Sequence, residues 1–183
     1  MKVEPLSISA VKLVVPRRFS DPRGYLVETW NRRAYAEAGI DVDFVQDNAS
    51  LSSLAGTLRG LHYQSPPMPQ AKLVRVVRGS VFDVAVDLRR ASPTFGRHVS
   101  AILTAGGGEQ LFVPEGFAHG FCTLEPNTEI AYKVSGFYSR EHDTGIVWND
   151  PDIAFEWPLQ GREPILSEKD LGLPLLAQSG SPF

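Results

Sequence analysis

The stretch Leu58-Arg59-Gly60-Leu61-His62-Tyr63-Gln64 brings a guanidinium, a glycine and an imidazole close together. An imidazole changes charge near neutral pH, so His62 is a candidate base for taking a proton from a substrate. Simple strand alternation sends Arg59 and His62 to opposite faces, and a bulge at Gly60 would re-aim one of them. Lys72 is a candidate fixed cation for a developing oxyanion. His119, between Ala118 and Gly120, has room beside it for a ligand, and Tyr132 could present a phenol. Tyr138 shares the parity of Tyr132 and could offer a flat ring to a base. Arg23 follows the turn residues Ser20-Asp21-Pro22. Taken singly, each also has a structural reading: His62 and His119 packed and satisfied, Lys72 and Arg23 solvated, Tyr132 in the core with its hydroxyl bonded.

Metal chemistry is the natural competitor, because small all-β barrels often hold a metal with a His-x-His pair. Here the second position is Gln64, and His98, His119 and His142 show no i, i+2 spacing. The spacing therefore supports no metal site. The single cysteine, Cys122, lies between Phe121 and Thr123, reads as a small buried hydrophobe and excludes an internal disulfide.

These side chains need a scaffold of strands. Sixteen glycines and fourteen prolines punctuate 183 residues, which suits many short strands joined by turns. Residues 70–89 alternate on both sides of Arg78-Gly79-Ser80 and read as a β-hairpin. With Gly79-Ser80 as a two-residue loop, Lys72 shares a face with Asp83 and Asp87, and Leu73 and Phe82 take the other. A three-residue loop would reverse this. Further strands are expected at 8–15, 25–30, 42–46, 58–64, 99–103, 109–113, 118–123 and 128–137. Helix is expected only at 32–38, ended by Gly39, and near 167–171 with Ser167 as N-cap.

The chain thus reads as one all-β domain, a sandwich, jelly roll or barrel, with a loosely ordered tail after about residue 175. A net charge of −3 leaves no electrostatic footprint for nucleic acid or an anionic membrane. No run approaches the ~20 apolar residues of a membrane-spanning helix, and the N-terminal stretch does not look like a signal peptide. A cytoplasmic location is expected.

The order of the motifs resembles the dTDP-4-dehydrorhamnose 3,5-epimerase family. The matching stretches are Asp21-Pro22-Arg23-Gly24 with Glu28, Phe44-Val45-Gln46-Asp47-Asn48, the segment 58–64 and Gln70-Ala71-Lys72-Leu73-Val74. They continue through Asp83-Val84-Ala85-Val86-Asp87, Ser92-Pro93-Thr94-Phe95-Gly96, residues 114–121, Trp148-Asn149-Asp150-Pro151, Trp157-Pro158 and Leu166-Ser167-Glu168-Lys169-Asp170. The resemblance implies a double-stranded β-helix of the cupin kind, a jelly roll, without metal or cofactor, acting on a dTDP-4-keto-6-deoxyhexose. It implies that His62 is the base, Tyr132 the proton donor on the opposite face, Lys72 the partner of the C4 oxyanion, and Asp170 the acceptor that orients His62. Arg59 and His119 match substrate contacts near the diphosphate and sugar, and Tyr138 matches the aromatic that stacks on thymine. Arg23, Glu28, Gln46 and Asn48 match residues that hold the nucleotide or complete the pocket. Members are homodimers with exchanged N-terminal strands, so Arg23 or Glu28 would serve the neighbouring subunit. Asp143 stands where the family commonly has the longer Glu, which puts its ligand contact in question. Three rival readings remain: a relative that inverts only C3 or only C5, a metal-dependent cupin, and a non-catalytic sugar-nucleotide binding barrel.

Overall fold

The structure is a computed structural model that describes residues 1–183. Its strands are β1 (Lys2–Pro5), β2 (Lys12–Val15), β3 (Arg18–Asp21), β4 (Gly24–Val27), β5 (Gln46–Ser52), β6 (Leu58–Gln64) and β7 (Lys72–Arg78). They continue as β8 (Ser80–Asp87), β9 (His98–Thr104), β10 (Gln110–Val113), β11 (Phe117–Thr123), β12 (Thr128–Val134) and β13 (Asp143–Gly145). Three short helices complete the chain: α1 (Arg32–Glu37), α2 (Glu168–Leu171) and α3 (Leu176–Ser179). No helix is long and apolar enough to cross a membrane.

Two antiparallel sheets face each other as a jelly roll. One has the order β1-β2-β10-β7-β12-β5 and the other β13-β6-β11-β8-β9. Alternation sends one residue in two of each strand into the space between them. Val74, Val76, Val81, Ala85, Val99, Leu103, Leu111, Phe117, Phe121 and Ile130 fill part of that space as a core. Each Val, Leu, Ile or Phe among them contributes roughly 1.5–3 kcal/mol when fully buried. On the same strands and parity stand Lys72, Asp83, His119 and Tyr132, so one continuous interior passes from apolar filling to polar chemistry.

Both sheets also need cover on their outer faces. Tyr35 and Ile40, on and just after α1, pack with Val14, Leu73 and Phe112 on the six-stranded sheet. Trp157, Ile153 and Leu176 from the C-terminal third pack with Leu58, Val84, Val86 and Ala118 on the five-stranded sheet. The tail after residue 175, expected to be loose, is docked instead. Leu176 and Ser181 are buried, the Leu176 amide donates to Asp150 Oδ2 at 2.6 Å, and the Arg90 amide donates to the Phe183 carbonyl. Leu176 belongs to the cover of the five-stranded sheet, so freeing the tail would expose apolar surface.

The expected hairpin at residues 70–89 does not form. β7 pairs with β10 and β12, whereas β8 pairs with β9 and β11 in the opposite sheet. Only Gly79 separates the two strands; its φ of +78° turns the chain from one sheet to the other, and a Cβ there would meet Thr128 Oγ1 at 2.4 Å. The expected grouping of faces survives in part for a different reason: Lys72 and Asp83 both point between the sheets because the sheets oppose each other. Asp87 is drawn aside by Arg89, Ser92 and Thr94. The other elements lie close to expectation in the middle of the chain and shift at its edges. Residues 8–11 form a turn closed by Val11 N–H to the Ile8 carbonyl, residues 42–45 precede β5, and β12 stops at Val134. Helix α1 is capped by Asn31 and α2 by Ser167.

Candidate active site

β6 carries the central device. Its partner β11 aligns His119 with His62 but Phe121 with Arg59, so β6 holds one residue more than β11 over the same span. The irregularity is a bulge at Gly60, whose φ is +130°. A Cβ at Gly60 would sit 2.5 Å from the Cα of Gly120, so a glycine is required on both grounds. As a result Arg59 and His62, three positions apart, line the same cavity.

That cavity, of about 310 Å³, is lined by Arg59, His62, Lys72, His119, Tyr132 and Asp170 among others. A second, of about 350 Å³, shares His62, Lys72 and Tyr132 and adds Gln46, Asn48, Tyr138 and Asp143. Ten of the twelve residues singled out in the sequence therefore meet in one connected space. Arg23 and Glu28 do not. Arg23 is exposed and ion-paired with Asp21 at 2.5 Å, and Glu28 accepts from Asn31. A further cavity, of about 410 Å³, is lined largely by residues of the opposite strand parity, among them Leu73, Arg75 and Lys133, and contains no imidazole.

His62 and Tyr132 project from different sheets, β6 and β12, toward the shared space. His62 Nε2 is 2.5 Å from Asp170 Oδ1, a carboxylate 4% exposed, while the imidazole is 28% exposed. A carboxylate at Nε2 favours the tautomer with the proton there, leaving Nδ1 free to accept one. Burial works to raise the Asp170 carboxyl, but hydrogen bonds from His62 and Ser167 and the charge of His62 outweigh it, with help from the Gly60 backbone, and the net shift is downward. Asp170 thus stays ionised beside the imidazole. Ser167, which caps α2, also donates its hydroxyl to Asp170 Oδ2 at 2.8 Å.

Lys72 is 9% exposed and donates to the His62 carbonyl at 3.2 Å. Burial pushes its ammonium down to about 8; Asp83 and Asp143 pull the other way, and Lys169 adds to the depression. Burial raises the Tyr132 phenol, Arg59 opposes the rise and Asp143 adds to it, so the hydroxyl holds its proton at neutral pH. His119 Nε2 meets Asp83 Oδ1 at 2.8 Å, making a second imidazole–carboxylate pair. Asp143, whose reach was in question, accepts from Lys169 at 2.5 Å and from the Tyr138 hydroxyl at 3.1 Å. Tyr138 and Asp143 are thereby joined at the rim of the second cavity.

Two participants escaped the sequence reading as site residues. Lys169 lines both cavities, yet as an exposed lysine on a one-turn helix it carries no pattern that marks it. Asp83 is fully buried, and its Oδ2 has no hydrogen-bond partner. A lone carboxylate between Phe82 and Val84 in an apolar strand was a readable signal.

The family model described as dTDP-4-dehydrorhamnose 3,5-epimerase matches residues 5–178. A dTDP-4-dehydrorhamnose 3,5-epimerase of Sinorhizobium fredii is 51% identical over 97% of this chain and 91% of its own. The solved structure of the Legionella pneumophila dTDP-6-deoxy-D-glucose-3,5-epimerase, in complex with dTDP-4-keto-L-rhamnose, superposes with a TM-score of 0.93. It is 43% identical and covers 97% of this chain and 94% of that one. A 3′-monoepimerase from Streptomyces bikiniensis, in complex with dTDP-quinovose, is 35% identical with a TM-score of 0.87, over 94% of this chain and 87% of that one. Through the family match, the identity over nearly its whole length and the shared fold, this chain belongs to the dTDP-4-dehydrorhamnose 3,5-epimerase family.

Proposed function

We propose that the protein inverts C3 and C5 of dTDP-4-dehydro-6-deoxy-D-glucose, giving dTDP-4-dehydro-L-rhamnose, without metal or cofactor. The observation that carries this reading is the placing of His62 on one sheet, backed by Asp170, and of Tyr132 on the other, across a cavity that also holds Lys72. A hydrogen next to a ketone becomes acidic enough for an imidazole once the enolate is stabilised. His62 Nδ1 takes that proton, and Asp170 stabilises the imidazolium that results. Lys72 supports the negative charge that grows on the C4 oxygen. Tyr132 then returns a proton to the carbon from the opposite face, which inverts it. Solvent then takes the proton from His62 and restores one to Tyr132, and the same two steps at the second carbon, on the other side of the ketone, complete the reaction. Arg59 and His119 hold the diphosphate and sugar, Tyr138 stacks on the base, and Gln46, Asn48 and Asp143 complete the nucleotide end.

A single inversion is the second reading, favoured by the monoepimerase among the solved structures similar to this chain. Proton NMR of the product made in deuterium oxide separates the two. Double epimerisation places solvent deuterium at both C3 and C5, and activity persists in a chelator. Label at one carbon alone overturns the 3,5 assignment, and loss of activity with the chelator overturns the metal-free mechanism.

We further infer a homodimer. The β3–β4 hairpin exposes Phe19, Tyr25 and Leu26 at 50%, 59% and 66%, more apolar surface than an isolated arm tolerates well. It carries Arg23, with Glu28 just beyond, away from the cavity of its own protomer. Docked on a second copy, the arm would deliver both to the neighbouring site. Light scattering should report a dimer, and Arg23→Ala should raise KM for the nucleotide sugar. A monomer with full activity overturns this arrangement.

Lys72 gives the reading a pH signature. Its ammonium, held down near 8, loses its proton as pH rises through that value. A neutral amine cannot neutralise the enolate, so kcat/KM, which reports the free enzyme, should fall above about pH 8. In Lys72→Arg the charge persists through this range, and the alkaline limb near 8 should vanish even if turnover is lower. An unchanged limb in that variant would remove Lys72 from the mechanism.

A further inference from the structure

Beyond β12 the chain leaves the sheet, and residues 136–139 lie outside regular structure. One backbone group on each of these four residues is nevertheless bonded by a glutamine side chain. The Gly136 carbonyl accepts from Gln70 Nε2 at 2.7 Å, and the Phe137 carbonyl from Gln64 Nε2 at 3.1 Å. The Tyr138 amide donates to Gln46 Oε1 at 3.1 Å, and the Ser139 amide to Gln64 Oε1 at 2.7 Å. No backbone partner replaces any of these.

The three glutamines stand on separate parts of the fold. Gln46 opens β5 in the six-stranded sheet, Gln64 closes β6 in the five-stranded sheet, and Gln70 lies in the loop before β7. Gln64 is 4% exposed, and its second amide hydrogen reaches the Met68 carbonyl at 2.7 Å. Both ends of its amide are therefore committed to backbone, two residues after His62. The segment so fixed ends in a side chain that is 58% exposed, the ring of Tyr138, whose hydroxyl is tethered to Asp143. A rim aromatic with its backbone held from two sheets loses little freedom when a flat ligand settles on it, and that saving appears as affinity.

We propose that Gln64 and Gln70, together with Gln46, are positioning residues that hold Tyr138 as a preformed platform for the pyrimidine of the nucleotide sugar. This deepens the proposed function and rests on its assignment of Tyr138 to the base. Gln64→Met keeps the volume and removes three hydrogen bonds, so the ring becomes mobile without any change at Nδ1 of His62. The expected result is a rise of about tenfold in Kd for dTDP and in KM for the substrate, with kcat shifted less than about twofold. Gln70→Met, which breaks one bond to the same segment and threatens folding less, should move Kd the same way by about threefold.

The double variant Gln64→Met with Tyr138→Ala distinguishes positioning from a general structural role. Without the ring, loss of the clamp should weaken dTDP no further. If Gln64→Met and Gln70→Met lower Tm but leave Kd unchanged, or if the losses add in full to that of Tyr138→Ala, the clamp is overturned while Tyr138 keeps its role. An unchanged Kd in Tyr138→Ala alone overturns the base-stacking assignment, and the purpose of the clamp with it.

Discussion

A carboxylate held almost out of water beside an imidazole is the constraint around which this fold is arranged. Asp170 would cost several kcal/mol if buried alone, and it is tolerated because His62, Ser167 and the Gly60 backbone all bond it. His62 and Gly60 lie on β6, and His62 is 108 residues away in the chain from Asp170 on its one-turn helix. The pair therefore exists only when the C-terminal third is folded against the five-stranded sheet. Trp157, Ile153 and Leu176 supply the apolar contact that seats it there.

The same logic repeats inside the barrel. His119 meets Asp83, and Lys72 sits within the field of Asp83 and Asp143, so each interior charge has at least one opposite charge near it. None of the carboxylates is shared by two imidazoles. The interior is thus divided: an apolar core from Val74, Val76, Ala85 and Phe121, and a polar cavity made by the next inward positions of the same strands. The core gives the strands their fixed separation, and that separation sets how far His62 stands from Tyr132. Gly60 and Gly120 complete the arrangement, because only glycines allow β6 and β11 to approach closely enough for the bulge.

Much of this could be read from the residues, and the failures have physical causes. The strand holding His62 was legible from Leu58, Leu61 and Tyr63, and Gly60 between Arg59 and His62 pointed to the bulge that joins them. The capping of α2 by Ser167 followed from local chemistry alone. The partner of β7 was not legible. Alternation reports which side chains share a face, but a strand buried on both faces, like β8, does not say which sheet it joins. Lys169, Gln64 and Gln70 were invisible as site residues for a related reason: their roles come from contacts between segments distant in sequence. Pairing Asp170 with His62 and Tyr132 came from family resemblance, since no spacing connects them.

In the proposed mechanism, proton removal and proton return belong to different sheets. His62→Ala tests it poorly, because it strips a buried carboxylate of its main partner and threatens the fold. Tyr132→Phe leaves that pair intact. Incubated with substrate in deuterium oxide and followed by proton NMR, this variant should still exchange hydrogen next to the ketone, with deuterium returned from the side on which it left. Inverted product should fall by roughly 10²–10⁴-fold. Equal loss of exchange and inversion, or inversion at the native rate, would contradict this division of labour.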